Sequence, residues 1–363
     1  MARPSPRAPS VFLAALLAAT TALQAQEDAR LPAQTATAPA GTLIVLNKAE
    51  NTASLVDLPS GRVGATLPTG TGPHEVAVSP DGRWALASNY GTAQAPGSTL
   101  TLIDVRSGSV ARTVDLGDYR HPHGVAWSRD GHRVLVTVEA QQAVVVLDTR
   151  TWQVERAIPT HQQTSHMVAL SPDGRRAYVA SIAAGSVTML DLVRARRLRI
   201  TQTGFGTEGI AVTPDGREVW ATNRGSNTVS ILDARSLDTL ATLPSSDFPI
   251  RVRFTPDGRW ALVTNARSSE LRIFDTARRE AVGTVAFPFD STRAAPTLLG
   301  AQFARSAVPI GVLPTAGGTH AYVAISAMGE VAEVDLATRA IVRTLAVGRE
   351  PDGLGYSPLR LSR

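Results

Sequence analysis

Residues 74–78 (HEVAV) alternate in character, stop at Ser79-Pro80-Asp81-Gly82, and restart as Arg83-Trp84-Ala85-Leu86-Ala87-Ser88. This pattern predicts a β-hairpin. Asp can bond its own downstream backbone, Gly accepts positive φ at no steric cost, and the flanking β-branched and aromatic residues favour a pleated strand. The hairpin returns along the chain with its turn Asp at Asp130, Asp173, Asp215 and Asp257, then in altered form with Gly317 and Leu359 in that slot. Successive slots are 49, 43, 42, 42, 60 and 42 residues apart.

A period near 42 with four short strands per unit is the signature of a propeller blade. In the first complete unit, strand A covers 74–79, B 83–89, C 99–105 and D 110–116. The chain begins out of phase, with B, C and D strands at 42–47, 53–58 and 63–68, and it ends on a lone A strand at 353–358. These orphan parts complement each other. The sequence therefore predicts an all-β, seven-bladed β-propeller of four-stranded antiparallel blades, with the C-terminal A strand pairing with the N-terminal B-C-D strands. Closing the ring removes the open edges of a linear array.

The stretch ATNRGSNTVSILDARSLDTLATLP (221–244), followed by TPDG, resembles the YVTN family of β-propeller repeats, and the likeness runs over essentially 41–363. The resemblance implies the fold and an extracytoplasmic setting, but a repeat signature fixes no chemistry. Nitrous-oxide reductase is similar in scaffold only: it needs many ring histidines and a cysteine-containing copper domain, whereas this chain has 7 histidines and 0 cysteines. Lactonases of the phosphogluconolactonase type are also seven-bladed, yet their catalytic residues find no counterparts here.

Residues 1–25 carry Arg3 and Arg7, an apolar run from Val11 to Ala19, and small residues up to Ala25. That is the layout of a Sec-type signal peptide, too short to span a bilayer. A periplasmic or secreted protein is expected, monomeric and without a transmembrane segment once the leader is removed. Residues 26–40 read as a disordered Pro/Ala/Thr-rich linker, and 41–363 as the propeller. Losing the leader takes the formal charge from +5 to +3. The positive charge is almost all arginine, Lys48 being the single lysine, and nucleic acid is not an expected partner. Without cysteine, stability must come from the core and from ring closure.

Two connections exceed what the repeat needs: 90–98 between B and C, and 286–308 between D and the next A. Both emerge on the face opposite the Asp-Gly turns, and surface loops on a rigid scaffold commonly carry function. The same face receives the start of every A strand. Seven residues before each turn slot stand His74, His123, His166, Glu208, Ile250, Ile310 and Asp352. Blade seven adjoins blade one, so Asp352, His74, His123, His166 and Glu208 form one continuous arc, with the two isoleucines filling the gap. His121 and Arg251 border the same mouth, and Tyr90, Glu139 and Arg224 follow their B strands there.

Two readings of the arc stay open. His74, His123, His166 and Glu208 form a candidate divalent-metal set, zinc or similar, because neutral imidazoles and a carboxylate suit a borderline cation that activates water. The alternative is a solvated polar channel mouth. Asn47, Asn89, Asn223 and Asn265 occupy one repeat slot and read as turn-formers. Arg194, Arg196, Arg197 and Arg199 charge an exposed D strand, which guards the edge or docks an anionic polymer. Trp84 and Trp260 share one strand position and read as packing residues. No GxSxG, HExxH or Walker sequence is present. The expected function is binding of a ligand or protein partner at the mouth through His74, His121, His123, His166, Glu208, Arg251 and Asp352. The alternative is a metal-dependent, lactonase-like hydrolase, and catalytic residues are unassigned.

Overall fold

The computed structural model describes residues 40–295, 297, 300–303 and 305–362. The expected signal peptide, and all of the linker but Ala40, lie outside them. Among the described residues, 28 strands form seven four-stranded sheets in which each strand pairs antiparallel with its neighbours. The innermost A strands are Pro73–Val78, Pro122–Trp127, Ser165–Leu170, Thr207–Val212, Pro249–Phe254, Pro309–Pro314 and Pro351–Ser357. The last of these pairs with Thr42–Asn47 in the register Thr42↔Ser357, Leu43↔Tyr356, Ile44↔Gly355 and Val45↔Leu354, so both chain ends share blade seven.

The B and C strands are buried almost throughout, while the outermost D strands alternate between half-buried and exposed residues. Apolar side chains therefore fill the gaps between blades. Ile44, Leu46 and Leu55 of blade seven meet Val76, Ala85 and Ile103 of blade one, and each other gap holds a comparable cluster. Each fully buried leucine or isoleucine in these seams contributes roughly 1.5–3 kcal/mol.

The Asp-Gly turns behave as the sequence predicts. Asp81 Oδ1 accepts from the Ser79 hydroxyl at 2.5 Å and from the Arg83 amide at 3.0 Å, and Gly82 takes φ +76°. Asp130, Asp173, Asp215 and Asp257 repeat the arrangement. Both long connections differ from simple loops. Across 90–98 the strands run on, Gly91 pairs with Pro96, and a tight turn closes with Thr92 N donating to Ala95 O at 2.9 Å. In 286–308, Phe287, Phe303, Ala307 and Val308 are buried. Phe303 packs edge-on against Phe248, over Ile250 and Ile310. The insertion thus covers the two blades whose rim slot is apolar.

Every A strand slips register by a bulge near its start, as between Pro73 and Val76 opposite Asn89 and Ala87. A bulge re-aims successive side chains, and it brings the residue after each rim slot against the next blade. A Cβ at Gly124, Gly209, Gly311 or Gly353 would lie 2.8, 2.6, 2.1 or 2.5 Å from the backbone oxygen of that neighbour. Overpacking of this kind costs about 1–3 kcal/mol. Gly353→Ala should lower unfolding free energy by about 2 kcal/mol in urea titrations. Gly317→Ala, whose nearest neighbour would be 3.9 Å away, should stay within about 0.5 kcal/mol of wild type.

Candidate functional site

Two sets of positions build the mouth. One is the rim slot at the start of each A strand; the other is the position after Asn47, Asn89, Val138 and Asn223 toward the end of the B strands, which reaches over the same opening. The second set contributes Lys48, Tyr90, Glu139 and Arg224. Tyr90 donates to Glu139 Oε2 at 2.7 Å, and Glu139 Oε1 lies 2.5 Å from His166 Nδ1. Arg224 Nη1 donates to Glu208 Oε2 at 2.5 Å, and Lys48 Nζ donates to Asp352 Oδ2 at 3.0 Å with Glu350 at 3.7 Å.

Arg251 lies across the channel. It comes from blade five, yet its Nε and Nη2 donate to Glu75 Oε1 of blade one at 2.9 and 2.6 Å, and its Nη1 donates to Glu208 Oε1 of blade four at 3.0 Å. Asp352 Oδ1 of blade seven is 3.9 Å from Nη2. The guanidinium is 4% exposed, so the mouth has a charged floor rather than an open bore. Burial works against its charge, but Glu75, Glu208 and Asp352 together push its pKa up. Lys48 follows the same logic: burial opposes the ammonium, and Asp352 and Glu350 outweigh it. For Glu208 and Asp352, burial would favour the neutral acid, but the adjacent Arg224 and Lys48, with Arg251 beside both, hold them ionised.

The three imidazoles are neighbours. Ring centroids are 5.0 Å apart for His74 and His123 and 3.5 Å for His123 and His166. His121 lies against Tyr90 at 4.5 Å, on the rim. Burial would deprotonate His166, but Glu139 and Glu208 prevail and raise its pKa above 6.5. Burial, and then the neighbouring His166 and His74, lower the pKa of His123 well below 6.5. Burial and then the Lys48 charge lower His74 to about 3, and its Nδ1 lies 2.7 Å from the Gly72 carbonyl. Of the three rings, only His166 sits where its surroundings favour the protonated form.

This arrangement corrects the metal reading. His166 Nδ1 is committed to Glu139 and its Nε2 faces Glu208 Oε1 at 3.4 Å, while His123 lies over the His166 ring at a 31° tilt. Rings packed face against face cannot aim their lone pairs at one cation. Among the described residues no three His, Asp or Glu side chains assemble as a metal set. The candidate set of His74, His123, His166 and Glu208 is adjacent in space but tied up in ion pairs.

Three polar atoms in this mouth are buried without a close hydrogen bond, His123 Nδ1, His166 Nε2 and Asp352 Oδ1; the second has Glu208 Oε1 at 3.4 Å and the third Arg251 Nη2 at 3.9 Å, which leaves His123 Nδ1 with neither kind of partner. The asparagine slot serves the fold. Asn223 Nδ2 donates to Thr228 and Ser230 at 3.0 and 2.9 Å, and Asn89 and Asn47 do the same in their blades. Sequence reasoning missed Glu75 and Lys48 as parts of the site. The lone lysine one residue past a B strand was the available signal for Lys48; Glu75 stands where four of the other blades carry glycine.

Residues 131–276 match the family model described as the cytochrome D1 heme domain. The match spans less than half of the chain. No curated protein matches. Among solved structures, Kuenenia stuttgartiensis hydrazine synthase is similar at 22% identity and TM-score 0.65, covering 79% of this chain and 90% of that one. A functionally unknown protein from Desulfotomaculum acetoxidans is similar at 13% identity and TM-score 0.72, covering 89% and 100%. Both likenesses establish the propeller fold.

Two outcomes follow. Arg251→Met should cost about 3–5 kcal/mol in urea unfolding, because it leaves Glu75, Glu208 and Asp352 buried without the guanidinium, and adding Glu75→Gln should restore part of that loss. By NMR titration, His166 should protonate above pH 6.5 and His74 near 3. As pH falls from 6.5 the unfolded chain protonates before His74 does, so stability held above 6.5 is lost toward 3. His166 has the opposite sign: its contribution is complete below 6.5 and is lost as pH rises through its raised value.

Proposed function

We propose that this protein is an exported ligand-binding propeller of the YVTN type, whose site is the channel mouth on the face carrying the long connections. The observation that carries the reading is His123 Nδ1, a buried ring atom at the opening with neither a hydrogen-bond nor an ion-pair partner among the described residues. Leaving a buried polar group unsatisfied costs about 1–3 kcal/mol, and a bound molecule with both donors and acceptors removes that cost. Asp352 Oδ1 would accept from it, and the neutral His123 can donate or accept according to tautomer. Arg251, Glu75 and Glu208 would form the floor, and Tyr90 with His121 the rim. Export rests on the sequence of residues 1–25.

The partial family match raises haem as a cofactor. The matched stretch brings one imidazole to the mouth, His166, and both of its nitrogens face carboxylates. The residues of that stretch do not fit a haem iron at this opening, so no chemistry is assigned to it. Zinc hydrolysis lacks a ligand set for the reason given above.

Protein purified from its native source without added ligand and crystallised should carry density other than single waters within hydrogen-bond reach of His123 Nδ1 and Asp352 Oδ1. The matching mass should appear in native mass spectrometry and vanish in Asp352→Asn. Isolated waters at the mouth, with no mass adduct in wild type, would overturn the reading.

A further inference from the structure

On the opposite face, the gaps between successive Asp-Gly turns form grooves. Three of them can be compared position by position. Between blades one and two the groove holds about 330 Å³ and is lined by Trp84, Trp127 and Trp152. Between blades four and five it holds about 310 Å³, and Glu218, three residues past its turn Asp, meets Arg279 at 2.6 Å. Between blades three and four it is larger, about 590 Å³, and arginine lines it: Arg175, Arg176, Arg194, Arg196 and Arg235.

The acids in this third groove are already occupied. Asp173 accepts from the Ser171 hydroxyl and the Arg175 amide. Asp191 takes the Val193 and Arg194 amides and the Arg194 guanidinium at 3.1 Å. Asp215 is used by Thr213 and Arg217. Among the described residues, Arg175, Arg176, Arg196 and Arg235 have no carboxylate at ion-pair distance. Arg176, the counterpart of Glu218, donates instead to the carbonyls of Ala234 and Arg235 at 3.0 and 3.1 Å. Register sets Arg176 and Arg196 on either side of Asp191 across the B, C and D strands of blade three.

We propose that this groove binds a phosphate-bearing anion, a phosphomonoester or diphosphate group, through Arg175, Arg196 and Arg235 with Arg176 at its base. A concave site lined by one sign of charge focuses the field and concentrates counter-ions. Guanidinium groups match phosphate oxygens in bidentate geometry. The same chemistry is presented by a soluble phosphorylated molecule and by an anionic lipid headgroup. The site is independent of the channel mouth, which opens on the other face.

The test uses the full mature chain at about 150 mM salt, where screening over about 8 Å suppresses diffuse attraction. Inorganic pyrophosphate is titrated calorimetrically in one arm. In the other, phosphatidylcholine vesicles with and without phosphatidylglycerol are sedimented with the protein. Arg175→Gln, Arg196→Gln and Arg235→Gln, whose side chains form no ion pair among the described residues, should each weaken binding about tenfold. Arg278→Gln, paired with Glu280 elsewhere, should leave it unchanged. Saturable pyrophosphate binding lost in the triple variant supports a soluble ligand. Phosphatidylglycerol-dependent sedimentation alone, lost in the same variant, supports a headgroup. Binding in neither arm, or binding that the triple variant retains, overturns the proposal.

Discussion

The antiparallel pairing of residues 351–357 with residues 42–47 turns a row of sheets into a ring, and the candidate site exists only because the ring closes. Asp352 lies on that last strand, Lys48 follows the first one, and the two meet at 3.0 Å across 304 positions of sequence. Closure also sets Gly353 against His74 and Glu75, so the same contact that seals the sheet brings Asp352 beside the imidazoles. Without it, Arg251 would lose one of its three carboxylates and Lys48 would be a stranded cation.

Much of the fold was legible because the repeat states it seven times. The strand boundaries near residues 42–47 and the closure follow from counting units, and the turn chemistry follows from Ser/Thr-x-Asp-Gly. The rim slot was also legible, since one offset from the turn picks out His74, His123, His166, Glu208 and Asp352. What counting could not supply was side-chain direction. Glu75 sits one residue past the slot, where strict alternation would send it away from the channel; Arg251, at the same offset, is expected at the mouth, but its reach to Glu75 is not. The bulge in each A strand breaks the alternation, and no residue type marks it in the sequence. Cross-channel pairing is equally silent, because blades one and five are distant in the chain and only the closed ring sets them face to face.

The metal reading failed for an electrostatic reason. Counting imidazoles in a shared opening took them to be free donors. The opening also holds five carboxylates, those of Glu75, Glu139, Glu208, Glu350 and Asp352, which are ion-paired to Lys48, Arg224, Arg251 and His166. His166 lies between Glu139 and Glu208, which raise its pKa, so neither of its ring nitrogens is a free donor for a metal. A dication would have to displace a proton and three ion-paired cations from the same carboxylates.

Ile250 and Ile310 occupy the same slot as the histidines and acids, so this scaffold folds with an apolar residue there and the polar arc is not a requirement of the blade. Burying charge carries a desolvation cost that well-packed apolar side chains avoid. Phe303 and Val308 of the insertion 286–308 pack over the two isoleucines. Apolar rim slots and apolar covering residues coincide. A chain selected for stability alone would extend the isoleucine solution around the ring. Gathering thirteen polar and charged groups at the opening, with His123 Nδ1 left without a partner, therefore carries a desolvation cost that the blade itself does not require.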